Sequence, residues 1–185
     1  MPTRKIIIVP GMDMQRGGRQ PSAMTRQAAE QAAVIFLRSP QSYDEIWPVG
    51  AGFNQRFLKR HPGFIKESVA VTKILVECGV PIGKIRRTLD QSYSTPGNAL
   101  EVRGESEVGD EYLIIINEVY RDRVEDTYWF FLEGKESVLS TRELPTIVSP
   151  DNQKWFMRRL SWLKLWNTTA KLHLLALKVV REIRR

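Results

Sequence analysis

Cysteine and histidine are scarce in this chain, and their scarcity excludes several classes of protein. Cys78 is the single cysteine among 185 residues, so no disulfide can form within the chain, which favours a reducing compartment. It falls on the apolar stripe of a predicted helix, where a packed core thiol is expected. The two histidines, His61 and His173, lack metal-ligand spacing to another histidine, cysteine or carboxylate pair. A zinc enzyme and a cysteine–histidine hydrolase are therefore disfavoured, and no metal is expected.

Long apolar runs and several familiar motifs are also missing. No window reaches the about 18 consecutive apolar residues of a membrane span. Residues 1–10 hold only a short apolar run without a small-residue cleavage site, which is not the pattern of a signal peptide. These absences predict a cytoplasmic protein. No G-x-S-x-G elbow occurs, and the loop at residues 11–19 matches neither the dinucleotide-binding nor the P-loop motif.

Composition and charge divide the chain into two parts. Apolar and charged residues make up 42% and 26% of it, an ordinary globular composition for one domain with an appendage. The net charge is +7, yet residues 1–150 contain 19 basic and 19 acidic side chains. Residues 151–185 contain 9 basic and 2 acidic side chains and 3 of the 5 tryptophans. We therefore predict a neutral domain over residues 1–150 and a basic, Trp-rich helical tail over residues 151–185 packed on it.

Apolar runs alternate with amphipathic segments along residues 1–150. Strands are predicted over residues 5–9, 45–49, 84–89, 112–116 and 137–141, and helices over residues 22–38, 67–78 and 121–132. A further helix is capped by Ser94 or Thr95, and a polar loop is expected around Arg56 and His61. This alternation predicts an α/β fold, a doubly wound, Rossmann-like three-layer α/β/α sandwich with a mostly parallel five-stranded sheet.

Polar segments follow four of the predicted strands, at residues 10–21, 50–54, 90–98 and 117–123. In an open α/β sheet, ligands bind beyond the carboxyl ends of the strands. Each segment also leads towards a helix N-terminus, where free amides and the helix dipole favour anions. A small anionic or phosphate-bearing ligand is therefore the physical expectation.

The first two segments each have a structural interpretation beside the functional one. Residues 11–19 form either a ligand-closing loop, in which Arg16 and Arg19 clamp a phosphate, or a connector with solvated arginines. Gly50 and Gly52 either let backbone amides approach a ligand closely or simply make a tight turn after a strand.

The last two segments are the richer in chemistry. Residues 90–98 gather an acid, hydroxyls and an amide, of which helix capping explains only one group. Glu118, Tyr120, Arg121 and Arg123 either bind an anion and do acid–base work or form a surface ion-pair cluster. No residue is assigned a catalytic role.

Residues 67–99 contain a glutamate-led helix, a Gly79-Val80-Pro81 turn and the junction Ser92-Tyr-Ser-Thr95-Pro-Gly-Asn98-Ala99. In this order they resemble the YdcF/SanA/ElyC-like family of bacterial proteins, a domain of unknown function whose junction reads Ser-x-Asn-Thr-x-Glu-Asn-Ala. Arg26 resembles the arginine after the family's first loop, Gly50-Ala-Gly52 its Ser-Gly-Gly turn, and Asn117 to Arg123 its Thr-Ser-x-x-His-x-x-Arg segment. The likeness covers residues 5–145, and Ser94, Gly97 and Tyr120 depart from the family's Asn, Glu and His.

The resemblance implies a Rossmann-like fold that binds a nucleotide-like ligand such as S-adenosylmethionine, in proteins of envelope polysaccharide or lipid-carrier metabolism. Tyr120 in place of the family's histidine implies ligand binding without the same chemistry, and no reaction is implied. Segments and resemblance together predict one set of ligand-binding residues, with Arg26 and Arg123 as anion ligands. The set is Gly11, Arg26, Gly50, Gly52, Glu67, Asp90, Ser92, Thr95, Asn98, Asn117, Tyr120 and Arg123.

The basic tail has two interpretations. Trp155, Leu163, Leu172 and Val179 lie at near-helical spacing, which favours helices that pack on the domain with a solvated charged rim. Alternatively, the cationic face and its tryptophans lie on an anionic membrane surface, as in a non-catalytic peripheral membrane or interaction protein at the inner membrane. Nucleic acid is disfavoured, because the tail lacks a recognisable binding module.

Overall fold

Strands and helices alternate along the first 145 residues. The computed structural model describes residues 3–12, 14–15, 18–53, 55–86, 89–92, 94–133 and 138–145. The strands are β1 (Lys5–Pro10), β2 (Glu45–Val49), β3 (Glu111–Asn117) and β4 (Val138–Leu144). The helices are α1 (Ala23–Arg38), α2 (Gln55–Arg60), α3 (Glu67–Glu77), α4 (Thr95–Glu105) and α5 (Arg121–Leu132), with 3-10 turns at Ile82–Lys84 and Glu118–Tyr120.

The four strands form one parallel sheet in the order β2-β1-β3-β4. The chain therefore steps outward from β1 to β2, then returns to the other side of β1 for β3 and β4. Ile6, Ile7, Ile8 and Val9 are all 0% exposed although neighbouring side chains point to opposite faces of the sheet. Helices must therefore cover both faces, as the uninterrupted apolar runs predict.

The helices pack in two pairs, α1 with α3 and α4 with α5. Helix α1 also packs on β1 and β3, and α5 on β3 and β4. Local sequence sets where two of the helices begin: the Ser22 hydroxyl accepts from the Thr25 amide, and the Ser94 hydroxyl accepts from the Gly97 amide. The described residues thus form an α/β fold around a four-stranded parallel sheet, compatible with a Rossmann-like arrangement.

A polar network closes the amino end of the sheet. Asp110, whose side chain is 2% exposed, accepts from Arg4 Nη2 at 2.6 Å and from Arg4 Nε at 3.0 Å. The Tyr112 hydroxyl donates to Asp110 at 3.0 Å, and the Glu107 amide donates at 2.9 Å. Burial alone would raise the pKa of Asp110, but these hydrogen bonds and the Arg4 charge outweigh it and lower the pKa.

Two predicted elements differ in the structure. In place of a strand over residues 84–89, Ile85 makes a single parallel bridge to Ile46, and residues 87 and 88 lie outside the described part. Hydrogen bonds from Arg86 N to Ile46 O and from Gly50 N to Leu89 O still hold this segment along β2. The expected polar loop around Arg56 and His61 contains helix α2 instead, because its phenylalanines pack on one another.

The prediction that Cys78 is a packed core thiol is wrong. Cys78 follows the last residue of α3 and is exposed. The apolar stripe of α3 is buried as far as Ile74 and Leu75, but the helix ends at Glu77 and turns at Gly79. The apolar spacing in the sequence therefore extends to Cys78, although the part of the helix that is buried ends earlier. On α5, Tyr128 is buried whereas its neighbour Trp129 is 53% exposed.

The predictions for the basic tail, residues 151–185, lie outside the described residues. Within the described ranges, no helix combines the length and apolarity needed to cross a membrane.

Candidate functional site

The carboxyl ends of the strands bring four chain segments to one edge. Pro10 pairs with Val49, so Gly11 and Gly50 follow side by side, and the Gly11 amide donates to Val49 O at 2.9 Å. Ile8 pairs with Ile114, so β3 runs parallel beside β1 and its carboxyl end, with Asn117, reaches the same edge of the sheet. This edge, the carboxyl edge, is where the order of the strands reverses, and open α/β sheets bind ligands at such a point.

Glu67 occupies the centre of the edge, in the first turn of α3, and is 8% exposed. Gly11 and Gly52 lie against its side chain so closely that neither position has room for a β-carbon. A β-carbon on Gly11 would contact the Glu67 carboxylate, and one on Gly52 would lie 2.7 Å from Glu67 Cγ. Gly52 also has φ +72°, which side-chain-bearing residues rarely adopt. Three distant parts of the sequence therefore meet at one carboxylate.

Asn98 adds an amide beside this carboxylate. It lies in the first turn of α4, is 7% exposed, and has its amide group against Gly50. A β-carbon on Gly50 would lie 3.1 Å from Asn98 Nδ2 and 3.5 Å from Glu67 Oε2. Asn98 Oδ1 is buried and has no hydrogen-bond partner among the described residues. An unsatisfied buried acceptor is uncommon in a folded protein, and a bound donor is one explanation for it.

The loop before α4 connects to the same edge. Ser92 O accepts from the Ala51 amide at 2.5 Å, and the Ser92 hydroxyl lies at Gly97, where a β-carbon would collide with it. Asp90 is engaged elsewhere, since its carboxylate binds Lys66 Nζ at 2.8 Å. Ser92 therefore helps to build the edge, and the charge of Asp90 is compensated by a lysine.

Two buried groups near this loop were not predicted from the sequence. Both carboxylate oxygens of Glu101 and the hydroxyl of Tyr128 are buried without a well-formed hydrogen bond to any described residue. Burial raises the pKa of Glu101, and the nearby Ser92 and Gln91 amides only partly offset it. Burial and the Glu101 charge raise the pKa of Tyr128. The i, i+3 spacing of Asn98 and Glu101 on one face of α4 was the available signal.

Replacing Glu101 by glutamine is expected to stabilise the fold at neutral and higher pH. Because burial raises the pKa of Glu101, its negative charge costs no stability while the carboxyl is protonated in both the folded and the unfolded state. The cost grows as the pH rises through the folded-state pKa and is then fully present. Glu101→Gln should therefore unfold at a higher temperature than wild type at about pH 8. The difference in melting temperature between the two proteins should disappear at about pH 4.

The control for Glu101→Gln is Glu77→Gln, which changes the same groups on an exposed, 3.9 Å pair with Lys73. This control should not gain stability with rising pH. A Glu101→Gln protein that is less stable than wild type at every pH would contradict the interpretation of Glu101 as a buried, poorly compensated charge.

Asn117, Tyr120 and Arg123 lie after β3. Asn117 is 0% exposed and its Nδ2 donates to Gln27 Oε1 and to Pro145 O, both at 3.2 Å. Its Oδ1 has no hydrogen-bond partner within the described residues. Tyr120 is buried, and the Arg123 guanidinium lies 5.3 Å from the centre of its ring. Arg123 is therefore packed on Tyr120.

Arg26 and Thr95 contribute less to the edge. The Arg26 side chain is 51% exposed and pairs with Glu30 at 3.7 Å along α1. Thr95 is the first residue of α4 and is partly buried. The structure thus brings Gly11, Gly50, Gly52, Glu67, Ser92 and Asn98 together, sets Asp90 and Asn117 beside them, and pairs Arg26, Tyr120 and Arg123 with other side chains.

No family model, curated protein or solved structure matches this chain. The resemblance to the YdcF/SanA/ElyC-like family therefore stays a prediction carried by the motifs of residues 67–99. Among the described residues, no group of three histidine, cysteine, aspartate or glutamate side chains could hold a metal ion.

Proposed function

We propose that this protein binds a nucleotide-like or phosphorylated small molecule at the carboxyl edge of a Rossmann-like, three-layer α/β/α domain. One observation carries the proposal: residues of three separate segments converge around Glu67, with Gly11, Gly50 and Gly52 against its side chain and Asn98 against Gly50. In open α/β sheets, ligands bind beyond the carboxyl ends of the strands at the point where the strand order reverses, and convergent polar groups fix their orientation.

The chemistry of the edge favours a ligand that carries hydrogen-bond donors. Glu67 presents a carboxylate, and Asn98 and Asn117 each have a buried carbonyl oxygen without a hydrogen-bond partner among the described residues. All three groups accept hydrogen bonds, so the complementary part of the ligand bears hydroxyl or amino groups. Ribose, a sugar and an amino-bearing base have these groups, and carboxylates commonly bind ribose hydroxyls in Rossmann-like folds. Within this proposal, the sugar or nucleoside part of the ligand lies at Glu67 and Asn98.

A screen of nucleosides, nucleotides, S-adenosylmethionine and sugar phosphates by thermal shift tests this proposal. A ligand at about one hundred times its Kd should stabilise the protein by about 2.7 kcal/mol. Removing one acceptor leaves a ligand donor unpaired, which costs about 1–3 kcal/mol, so Asn98→Ala and Glu67→Gln should weaken binding about 10- to 100-fold in titration calorimetry.

Glu77→Gln is the matched control for Glu67→Gln, because it makes the same change on an exposed part of α3. Arg123→Ala tests the anion contact that the sequence predicts for Arg123, which packs on Tyr120 in the structure, without touching Glu67. Ligand affinity that is unchanged in both Asn98→Ala and Arg123→Ala would reject this site, provided that each variant keeps a cooperative unfolding transition.

A further inference from the structure

A cationic segment borders the carboxyl edge and is not used by the sugar or nucleoside contacts. Residues 55–66 contain Arg56, Lys59, Arg60, His61 and Lys66 and no acidic residue. Arg56, Lys59 and Arg60 are exposed on α2 and have no ion-pair partner among the described residues. Their three charges therefore form a compact patch on a domain whose first 150 residues are neutral in total.

The segment begins and ends at the centre of the proposed site. It leaves the edge at Gly52 and returns at Glu67, and these two residues are in contact. The Glu67 amide also lies 3.4 Å from Ala51 O, which closes the base of the segment. The segment that carries α2 is therefore anchored at Glu67 at both of its ends.

Aromatic packing fixes the segment in position. The rings of Phe53 and Phe57 lie 5.1 Å apart, and both rings are 5.2 Å from the ring of Phe64. Phe64 packs on Gly18 of the loop after β1, and the Ile65 amide donates to Gly18 O at 2.9 Å. The Arg19 guanidinium lies against Gly63, 3.3 Å from where a β-carbon would stand. A pre-positioned cationic surface costs little ordering entropy when it binds an anion.

The two arginines assigned to the anion in the predicted set, Arg26 and Arg123, contact Glu30 and Tyr120 instead. The other lysine of the segment, Lys66, pairs with Asp90. We propose that Arg56, Lys59 and Arg60, together with Arg19 where it packs on Gly63 of the same segment, form the subsite for the phosphate or pyrophosphate of the ligand. The inference rests on the proposed function, because it assigns the anionic end of a ligand whose donor-rich end lies at Glu67 and Asn98.

The test compares two triple variants. Arg56→Gln/Lys59→Gln/Arg60→Gln removes the patch, and Arg38→Gln/Lys84→Gln/Arg142→Gln removes the same charge from exposed residues on other elements. Pyrophosphate is titrated while the backbone amides of residues 55–66 are followed by NMR. We expect saturable shifts in wild type and in the control, at least about tenfold weaker binding in the patch variant, and weakening between about 50 mM and about 200 mM salt.

Adenosine and ADP separate this inference from the proposed function. ADP should bind more tightly than adenosine in wild type and lose that advantage only in the patch variant, while adenosine binds wild type and both variants alike. If pyrophosphate binds through the patch, ADP binds no more tightly than pyrophosphate and no nucleoside binds, the subsite stands and the nucleoside part of the proposal fails.

Three outcomes would overturn the subsite. The first is the absence of pyrophosphate binding to wild type, and the second is an equal loss in both triple variants, which indicates only the overall charge. The third is co-sedimentation with phosphatidylglycerol vesicles that depends on the patch and that pyrophosphate does not compete away, which indicates a membrane contact instead.

Discussion

Asp110→Ala is expected to lower the free energy of unfolding by about 3 kcal/mol, the low end of the range for removing one partner of a buried ion pair. The carboxylate is 2% exposed, while the Arg4 side chain that it binds keeps 21% of its surface exposed, so water offsets part of the loss. Alanine would remove the closest anionic partner of the Arg4 guanidinium and an acceptor of the buried Tyr112 hydroxyl. Chemical denaturation at neutral pH measures the change.

A matched control and the acid limb of the stability curve make the Asp110 prediction specific. Glu107→Gln removes a 3.5 Å pair with Arg4 whose glutamate is 55% exposed, so it should cost less than about 1 kcal/mol. The folded state lowers the pKa of Asp110, so its stabilisation is present above the ordinary value of 3.8 and is lost as the pH falls through the folded-state pKa. Asp110→Ala should therefore lose less stability than wild type on acidification. An equal loss in both proteins would show that the carboxylate is not stabilised by folding.

Gly11→Ala is expected to cost about 1–3 kcal/mol of stability and to displace Glu67, because the new methyl group would collide with the Glu67 carboxylate. Gly52→Ala should cost at least as much, since its β-carbon would lie 2.7 Å from Glu67 Cγ and the residue has φ +72°. Any ligand identified by the thermal-shift screen should lose affinity in both variants. Chemical denaturation and titration calorimetry on the same samples give the two readouts.

Gly104 and Glu67 supply the controls for the glycine substitutions. No atom lies within 4 Å of a β-carbon placed on Gly104 in α4, so Gly104→Ala should stabilise the protein by about 0.4–1 kcal/mol. Truncating Glu67 makes room for the new methyl group, so Gly11→Ala in a Glu67→Ala background should cost less than in wild type. Strict additivity of these two substitutions would mean that Gly11 and Glu67 are not in contact.

The paired helices and the parallel sheet follow from local sequence. Lys5–Pro10 and Glu111–Asn117 contain continuous apolar runs, and such runs are stable only where both faces of a strand are covered. Ser22 and Ser94 cap α1 and α4 as their hydroxyls and positions predict. These features depend on residues within a few positions of one another, so they can be deduced without knowing the fold.

Part of the candidate site could also be predicted, because parallel strands place their carboxyl ends at one edge. That rule alone predicts that Gly11, Gly50 and Asn117 lie at the same edge of the sheet. It could not give the partner of each side chain. Arg26 was expected to bind an anion, yet Glu30 one turn along α1 pairs with it. A motif identifies the residue but not the neighbour that neutralises its charge.

Sequence by itself determined the alternation of strands and helices and the edge at which polar loops collect, because backbone geometry and apolar periodicity act over short distances. Only the tertiary structure decided that Glu67 fills the space left by glycines, that Glu101 and Tyr128 are buried, and that Cys78 is exposed. It also decided that the segment carrying α2 begins and ends at Glu67, with exposed cations that have no ion-pair partner among the described residues. Each of these depends on which residues, distant in the sequence, come into contact in the folded protein. Burial and charge compensation are set by those contacts and not by local sequence.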